Sequence, residues 1–279
     1  MRFAGFFTIT RPINSLVAGL AAIVAFLIAT GTIIPPVILL FSAVVLITAA
    51  GNVINDFFDT KIDAINRPDR PIPSGAVSQA AALGFAVTLF LAGIIVSFFT
   101  NPLCIGIAVI NSFILIAYAG VLKRTPLLGN ITVAYLSASI FLFGGALNGW
   151  DSLIHIIPIA TISFFAMISR ELVKDAEDVE GDTAGGADTV PIRIGIKKTS
   201  QLALISTVLA VAASFIPYFW WGTWYLAGIF VVDSIIIIAA LRGLKCATPA
   251  CMKVSMSSLL LKAGMFTSLI VFTLSAVFL

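Results

Sequence analysis

The sequence predicts an all-α polytopic membrane protein, with nine transmembrane helices in one bundle forming a single domain over residues 1–279. Three observations carry this. The chain is 60% hydrophobic and only 10% charged, where a soluble domain carries about 25% charged residues. Its apolar residues come in blocks near twenty long, the length at which a helix crosses a ~30 Å hydrocarbon layer. Its 16 Lys and Arg residues fall at the N-terminus (Arg2, Arg11) and in or beside the joins after the second, fourth, sixth and eighth blocks.

The spans are expected at 12–30, 35–56, 79–99, 103–122, 130–148, 153–175, 198–217, 222–241 and 257–278. Span 1 follows "MRFAGFFTITRP", which lacks a cleavage-site pattern and is read as retained. Pro35-Pro36 opens span 2 and Asn101-Pro102 opens span 4. Pro126 and Gly129 precede span 5, and Pro217 separates spans 7 and 8; Pro and Gly punctuate apolar segments in this way. Positive charge gathers on the cytoplasmic side of membrane proteins. The expected location is therefore the cell membrane, with the N-terminus and the basic joins cytoplasmic and the C-terminus outside. Cys104, Cys246 and Cys251 are expected to be free thiols, since Cys-x4-Cys without a nearby histidine makes no convincing zinc site.

Span 2 runs into "NDFFDTKID", where Asp56, Asp59 and Asp63 follow one another at three and then four residues. On an α-helix that spacing lines up one face, with Asn55 beside it. Span 6 ends in "RELVKDAEDVEGD", where Asp175, Asp178 and Asp182 repeat the spacing, each 119 residues after its counterpart. Glu171 extends the second stripe inward. Both spans run in the same direction, so both acidic faces emerge on one side. Carboxylates at helix C-termini face the negative end of the dipole, and six together need a cation. Carboxylate and amide oxygens without His or Cys suit Mg²⁺, which commonly bridges a few carboxylates to a phosphate ligand. A diphosphate between the two acidic faces is the expected occupant. Basic residues in the neighbouring segments supply candidate phosphate contacts: Arg67, Arg70, Lys123, Arg124, Lys174, Arg193, Lys197 and Lys198.

These residues resemble the UbiA family of intramembrane prenyltransferases. Its first motif, N-D-x-x-D-x-x-x-D, reads here from Asn55 to Asp63, and the second reads from Asp175 to Asp182. "YAGVLKR" (118–124) and "TRPINSLVAG" (10–19) resemble further family elements. The resemblance implies transfer of an isoprenoid chain from its diphosphate to an acceptor. It implies Mg²⁺ ligation by Asn55, Asp59, Asp175 and Asp178, with Asp56, Asp63 and Asp182 in support. The archaeal ether-lipid branch is the most similar part of the family, through "NRPDRPIPSG" and "DVEGDTAGGADTVPIRIG". That branch implies a geranylgeranyl diphosphate donor and a geranylgeranylglyceryl phosphate acceptor.

Other residues are weighed on the same basis. Asn14 lies one turn past Arg11 and is a candidate for the diphosphate. Tyr118 and Tyr135 are candidates for the reaction cavity or for interfacial anchoring. His155, the only histidine, falls on the outer side, away from the chemistry. Asp233, inside span 8, is read as a helix-to-helix hydrogen bond before a functional acid. Gly19, Ala49, Ala50, Gly51, Gly144, Gly145 and Ala146 permit close helix approach or leave room for a prenyl chain. The alternative functions are an aromatic-acceptor prenyltransferase and, from another class, an ion transporter. The expected partners are a polyprenyl diphosphate, a lipid acceptor and membrane lipid, with no nucleic acid and no obligatory protein partner.

Overall fold

The structure is a computed structural model that describes residues 3–184 and 186–279. Arg2, counted in the charge pattern, and Gly185, in the second Gly-rich loop, lie outside the described residues. Those described form helices and connecting turns, without a strand. A short α1 (Phe3–Ile9) leads into α2 (Pro12–Thr30), where Pro12 takes the first helical turn, in which its missing N–H is not needed. Then come α3 (Val37–Phe58), α4 (Thr60–Asn66) and α5 (Gln79–Ser97), the last capped by the Ser78 hydroxyl, which accepts from the Ala81 N–H. Asn101 caps α6 (Pro102–Gly120) in the same way through the Cys104 N–H. A 3₁₀ turn over Leu122–Arg124 joins it to α7 (Leu128–Leu147). The second half is α8 (Trp150–Ala184), α9 (Val190–Ile194), α10 (Ile196–Ser214), α11 (Tyr218–Leu244), α12 (Pro249–Ser255) and α13 (Ser257–Phe278).

Among the described residues, nine helices are long and apolar enough to cross a membrane. They fall on the nine expected spans, as α2, α3, α5, α6, α7, α8, α10, α11 and α13. Two departures bear on function. α8 runs to Ala184 rather than ending near 175. Hydropathy reports where the apolar layer stops, whereas the helix needs only continued backbone bonding through good helix formers such as Lys174, Ala176 and Glu177. The extra nine residues extend it by about 14 Å at 1.5 Å each. The first motif, by contrast, breaks: α3 ends at Phe58, and Asp59, at φ −87° and ψ 1°, turns the chain into α4.

The cysteine expectation is corrected as well. Cys246 and Cys251 are joined by a disulfide, with Cα atoms 5.4 Å apart; Cys104 is free and buried. The turn that Thr248 caps, accepting from the Cys251 N–H, folds the five-residue separation back on itself. Spacing alone does not reveal that closure.

Helix α3 packs against α2, α5 and α6 through Leu40, Ala43, Ile47, Ala50 and Val53, all buried. Helix α8 packs against α7, α10 and α13 through Ile159, Ala166, Leu172 and Ala176. α2 and α7 pack against each other and touch both α3 and α8. Their close approach depends on Gly144, where an added Cβ would lie 2.6 Å from the Ala25 backbone carbon. Small residues at such crossings let backbones approach in lipid. Outside the core, Leu91, Phe113 and Phe230 are exposed large apolar side chains, as a lipid-facing surface requires.

Candidate active site

The broken first motif sorts its acids into two groups. Asp56, buried at the end of α3, accepts from Arg11 Nη2 at 2.5 Å and from Arg70 Nη1 at 3.2 Å. Arg70 also donates to Asp63 at 2.5 Å. Asp56 and Asp63 therefore clamp the entry of α2 and the loop after α4 to the end of α3. Arg11 itself sits at φ 47°, a conformation a non-glycine residue holds only when its surroundings impose it. Asp59 turns the other way. It accepts from Lys123 Nζ, which also donates to Asn55 Oδ1 at 3.1 Å, and Arg124 lies 3.9 Å off.

The second motif stays on one helix. Asp175 accepts from Asn130 Nδ2 of α7 at 2.7 Å, while Asp178 is exposed and Asp182 half-buried. Glu177 turns aside, accepting from Ser258 of α13 at 2.7 Å. Glu171 accepts from Arg170.

The two motifs meet around Tyr118 and Lys123. A polar pocket of about 60 Å³ is lined by both, together with Asn130, Glu171, Asp175 and Asp188. The Tyr118 hydroxyl lies in the electrostatic field of Glu171, Asp175 and Asp59 at once. Asp188 closes one wall. The Arg193 guanidinium, forked on Asp188 at 2.9 and 3.0 Å from Nε, holds that carboxyl below its usual range.

Beyond Tyr118 and Val133 the pocket adjoins an apolar hollow of about 250 Å³ between α2, α3, α6 and α7. Ser137 and Ile140 in turn separate that hollow from another of about 280 Å³, bounded by α2, α7, α8 and α13. A polar mouth thus leads into apolar space within the bundle.

Several expected residues are not brought to this site. Tyr135 lines a different apolar groove, between α7 and α8, with Leu142, Ile157 and Phe165. It lies 17 residues after Tyr118 on another helix, and sequence does not say which way either ring faces. Asn14 is exposed on α2, and Arg67, Lys174, Lys197 and Lys198 are exposed without an ion-pair partner among the described residues. His155 stacks on Trp220 with ring centroids 3.9 Å apart, far along α8 from the acids. Asp233 accepts from Ser214 Oγ at 2.7 Å, a bond from α10 to α11, as expected. Asn130 and Arg11 escaped the sequence reading of the site: a lone Asn near the start of an apolar span and a single Arg before a Pro carry no spacing signal.

The donor set suits a hard cation: Asn55, Asp59, Glu171 and Asp175 offer only amide and carboxylate oxygens. Among the described residues no three acids converge tightly enough to enclose an ion by themselves. The Lys123 ammonium bridging Asn55 and Asp59 marks where positive charge is held.

A model of the UbiA prenyltransferase family matches residues 16–270. The chain belongs to the UbiA prenyltransferase family. As a prenyltransferase it is similar over its whole length, at 63% identity, to digeranylgeranylglyceryl phosphate synthase of Methanoregula boonei, with all of both chains covered. A solved structure of digeranylgeranylglyceryl phosphate synthase in membranes superposes with TM-score 0.91 at 35% identity, covering 99% of each chain. A UbiA homologue from Archaeoglobus fulgidus bound to GPP and Mg²⁺ shares the fold at TM-score 0.69 and 17% identity, with 94% of this chain and 99% of that one covered. Membership in a family of prenyltransferases removes the ion-transporter alternative.

Proposed function

We propose that this prenyltransferase moves a geranylgeranyl group from geranylgeranyl diphosphate to the free hydroxyl of geranylgeranylglyceryl phosphate, with Mg²⁺ as cofactor. The observation that carries the reading is the junction at Tyr118 and Lys123: both line the polar pocket with Glu171 and Asp175 of the second motif, Lys123 also bonds Asp59 and Asn55 of the first, and the pocket adjoins an apolar hollow. Full-length similarity to relatives named for the product of that transfer, digeranylgeranylglyceryl phosphate, supports this acceptor over an aromatic one. The orientation that accords with it puts the polar mouth on the cytoplasmic side, where a soluble diphosphate product is released.

In this reading Asn55, Asp59, Asp175 and Asp178 would hold Mg²⁺, which would supply positive charge against the departing diphosphate. Lys123 and Arg124 donate to the same leaving group. Lys174, Arg193, Lys197 and Lys198 line the approach as basic side chains. Asp56 and Asp63 act at one remove, fixing α3 through Arg11 and Arg70. The allylic C–O bond of the donor breaks and a C–O ether bond forms to the acceptor oxygen. The hydroxyl proton passes to a carboxylate of the pocket or leaves with the diphosphate. Tyr118 closes the polar pocket from the tail-binding hollow and keeps water from the electron-poor carbon.

The test offers the purified protein geranylgeranyl diphosphate with either geranylgeranylglyceryl phosphate or 4-hydroxybenzoate. Ether formation on the first alone is the expected result. Transfer to the aromatic acceptor alone rejects the proposed substrate.

A further inference from the structure

The 280 Å³ hollow between α2, α7, α8 and α13 is lined by apolar and small side chains such as Ile140, Phe141 and Leu269, and by two charged ones. Both are cations, Arg170 and Lys262. Neither belongs to an Asp-rich motif or to the polar pocket. In the sequence they pass for charges flanking a loop, but α8 and α13 carry them inside spanning helices. The Ser258–Glu177 hydrogen bond sets the register of these two helices. Lys262 is four residues beyond Ser258 and Arg170 seven before Glu177, so both lie further along their helices from the polar mouth than that bond, by about 6 and 10 Å at 1.5 Å per residue, with Lys262 exposed at the rim. There they look into the same space.

An ionised side chain inside a span needs a partner or an aqueous path. Lys262 has no carboxylate partner among the described residues, and its Nζ lies 6.0 Å from the Phe266 ring centre. Arg170 donates one N–H to Glu171, which leaves most of its five donors for another ligand. Two cations against one carboxylate leave net positive charge at the rim of an apolar chamber. An amphiphile with an anionic head and a hydrocarbon tail has the matching chemistry.

We propose that this hollow seats the acceptor lipid, with its phosphate held by Arg170 and Lys262; the assignment rests on the acceptor chemistry proposed above. The Arg170–Glu171 pair supports it. Glu171 faces the polar pocket beside Asp175, while Arg170 lines the hollow, so adjacent residues connect the two chambers. On a glycerol, a free hydroxyl and a phosphate ester are never more than two carbons apart. The phosphate site must therefore adjoin the reacting centre, and residues 170 and 171 meet that requirement. The neighbouring 250 Å³ hollow has no charged side chain in its lining and is left for the donor's tail.

The test uses Lys262→Met, which breaks no ion pair, with Lys262→Arg as the conservative variant and Arg170→Gln as the second position. Losing one charge-assisted hydrogen bond raises the acceptor KM about tenfold or more. The donor KM and kcat stay near wild type, and Lys262→Arg restores the acceptor KM. Geranylgeranylglycerol, which lacks the phosphate, is used equally by wild type and Lys262→Met. Without donor or metal, the phosphorylated acceptor raises the thermal midpoint of wild type more than that of Lys262→Met. An unchanged acceptor KM and an unchanged midpoint shift in Lys262→Met overturn the assignment while leaving the parent reaction standing. A raised donor KM alone overturns it in favour of a diphosphate site. Wild-type protein that transfers to no glycerol-phosphate lipid removes the parent reading, and this one with it.

Discussion

Lys123 reaches from the turn after α6 to the end of α3, where its ammonium bridges Asp59 and the Asn55 amide oxygen. The residues expected to hold a divalent cation are thus held in place by a monovalent one. That ties the turn carrying Arg124 to the first motif. Asp59→Ala or Asp178→Ala is expected to lower prenyl transfer by at least about 10²-fold, the scale of losing a stabiliser of developing charge. Membrane insertion should stay close to wild type in both; the unfolding midpoint should hold in Asp178→Ala, where the residue is exposed, and fall modestly in Asp59→Ala, which leaves Lys123 bonded to Asn55 without its nearest carboxylate. Near-normal turnover in either variant, measured with radiolabelled donor, would contradict the proposed cation site.

Asp56 should behave differently from Asp59. Its buried carboxylate satisfies Arg11 and Arg70 together. Asp56→Ala strands Arg11 and leaves Arg70 with Asp63 alone, at a cost of about 1–3 kcal/mol, below the figure for a fully buried pair because Arg11 is 33% exposed. The expected outcome is a lower unfolding midpoint in detergent, with activity falling as the fold weakens. A large activity loss at an unchanged midpoint would place Asp56 in the chemistry instead.

Tyr118 and Tyr135 provide an internal contrast. Tyr118→Ala opens the wall between the polar pocket and the apolar hollow. It is expected to cut transfer and to raise the share of donor hydrolysed to the free alcohol. Tyr135→Ala, altering a groove on the other side of α7, should leave the product ratio unchanged. Equal hydrolysis in the two variants would reject the wall assigned to Tyr118.

Chelation with EDTA is expected to stop turnover and added Mg²⁺ to restore it. Persistent activity after exhaustive chelation would remove the cation from the mechanism and leave charge neutralisation to Lys123 and Arg124.

Gly144→Val drives a branched side chain into the Ala25 backbone, where even a Cβ comes within 2.6 Å. Overpacking at such a contact destabilises by about 1–3 kcal/mol, which thermal unfolding would register. Gly181→Ala, at a position with open space around it, serves as the control and should shift the midpoint little.

The sequence by itself determined the number and order of the spans, because apolar length and charge asymmetry are properties of one segment at a time. It also carried the acidic residues and their matched spacing, since a repeated interval within one helix needs no knowledge of any other helix. The tertiary structure alone decided which partner each acid takes. Asp59 turning to Lys123, Asp56 to Arg11, Asp175 to Asn130 and Cys246 to Cys251 all depend on where a separate segment arrives in space. The direction of Tyr135 and the joint exposure of Arg170 and Lys262 to one hollow follow from helix rotation and register. Those are set by packing at contacts such as Gly144 on Ala25 and by bonds such as Ser258 to Glu177, which no local pattern encodes.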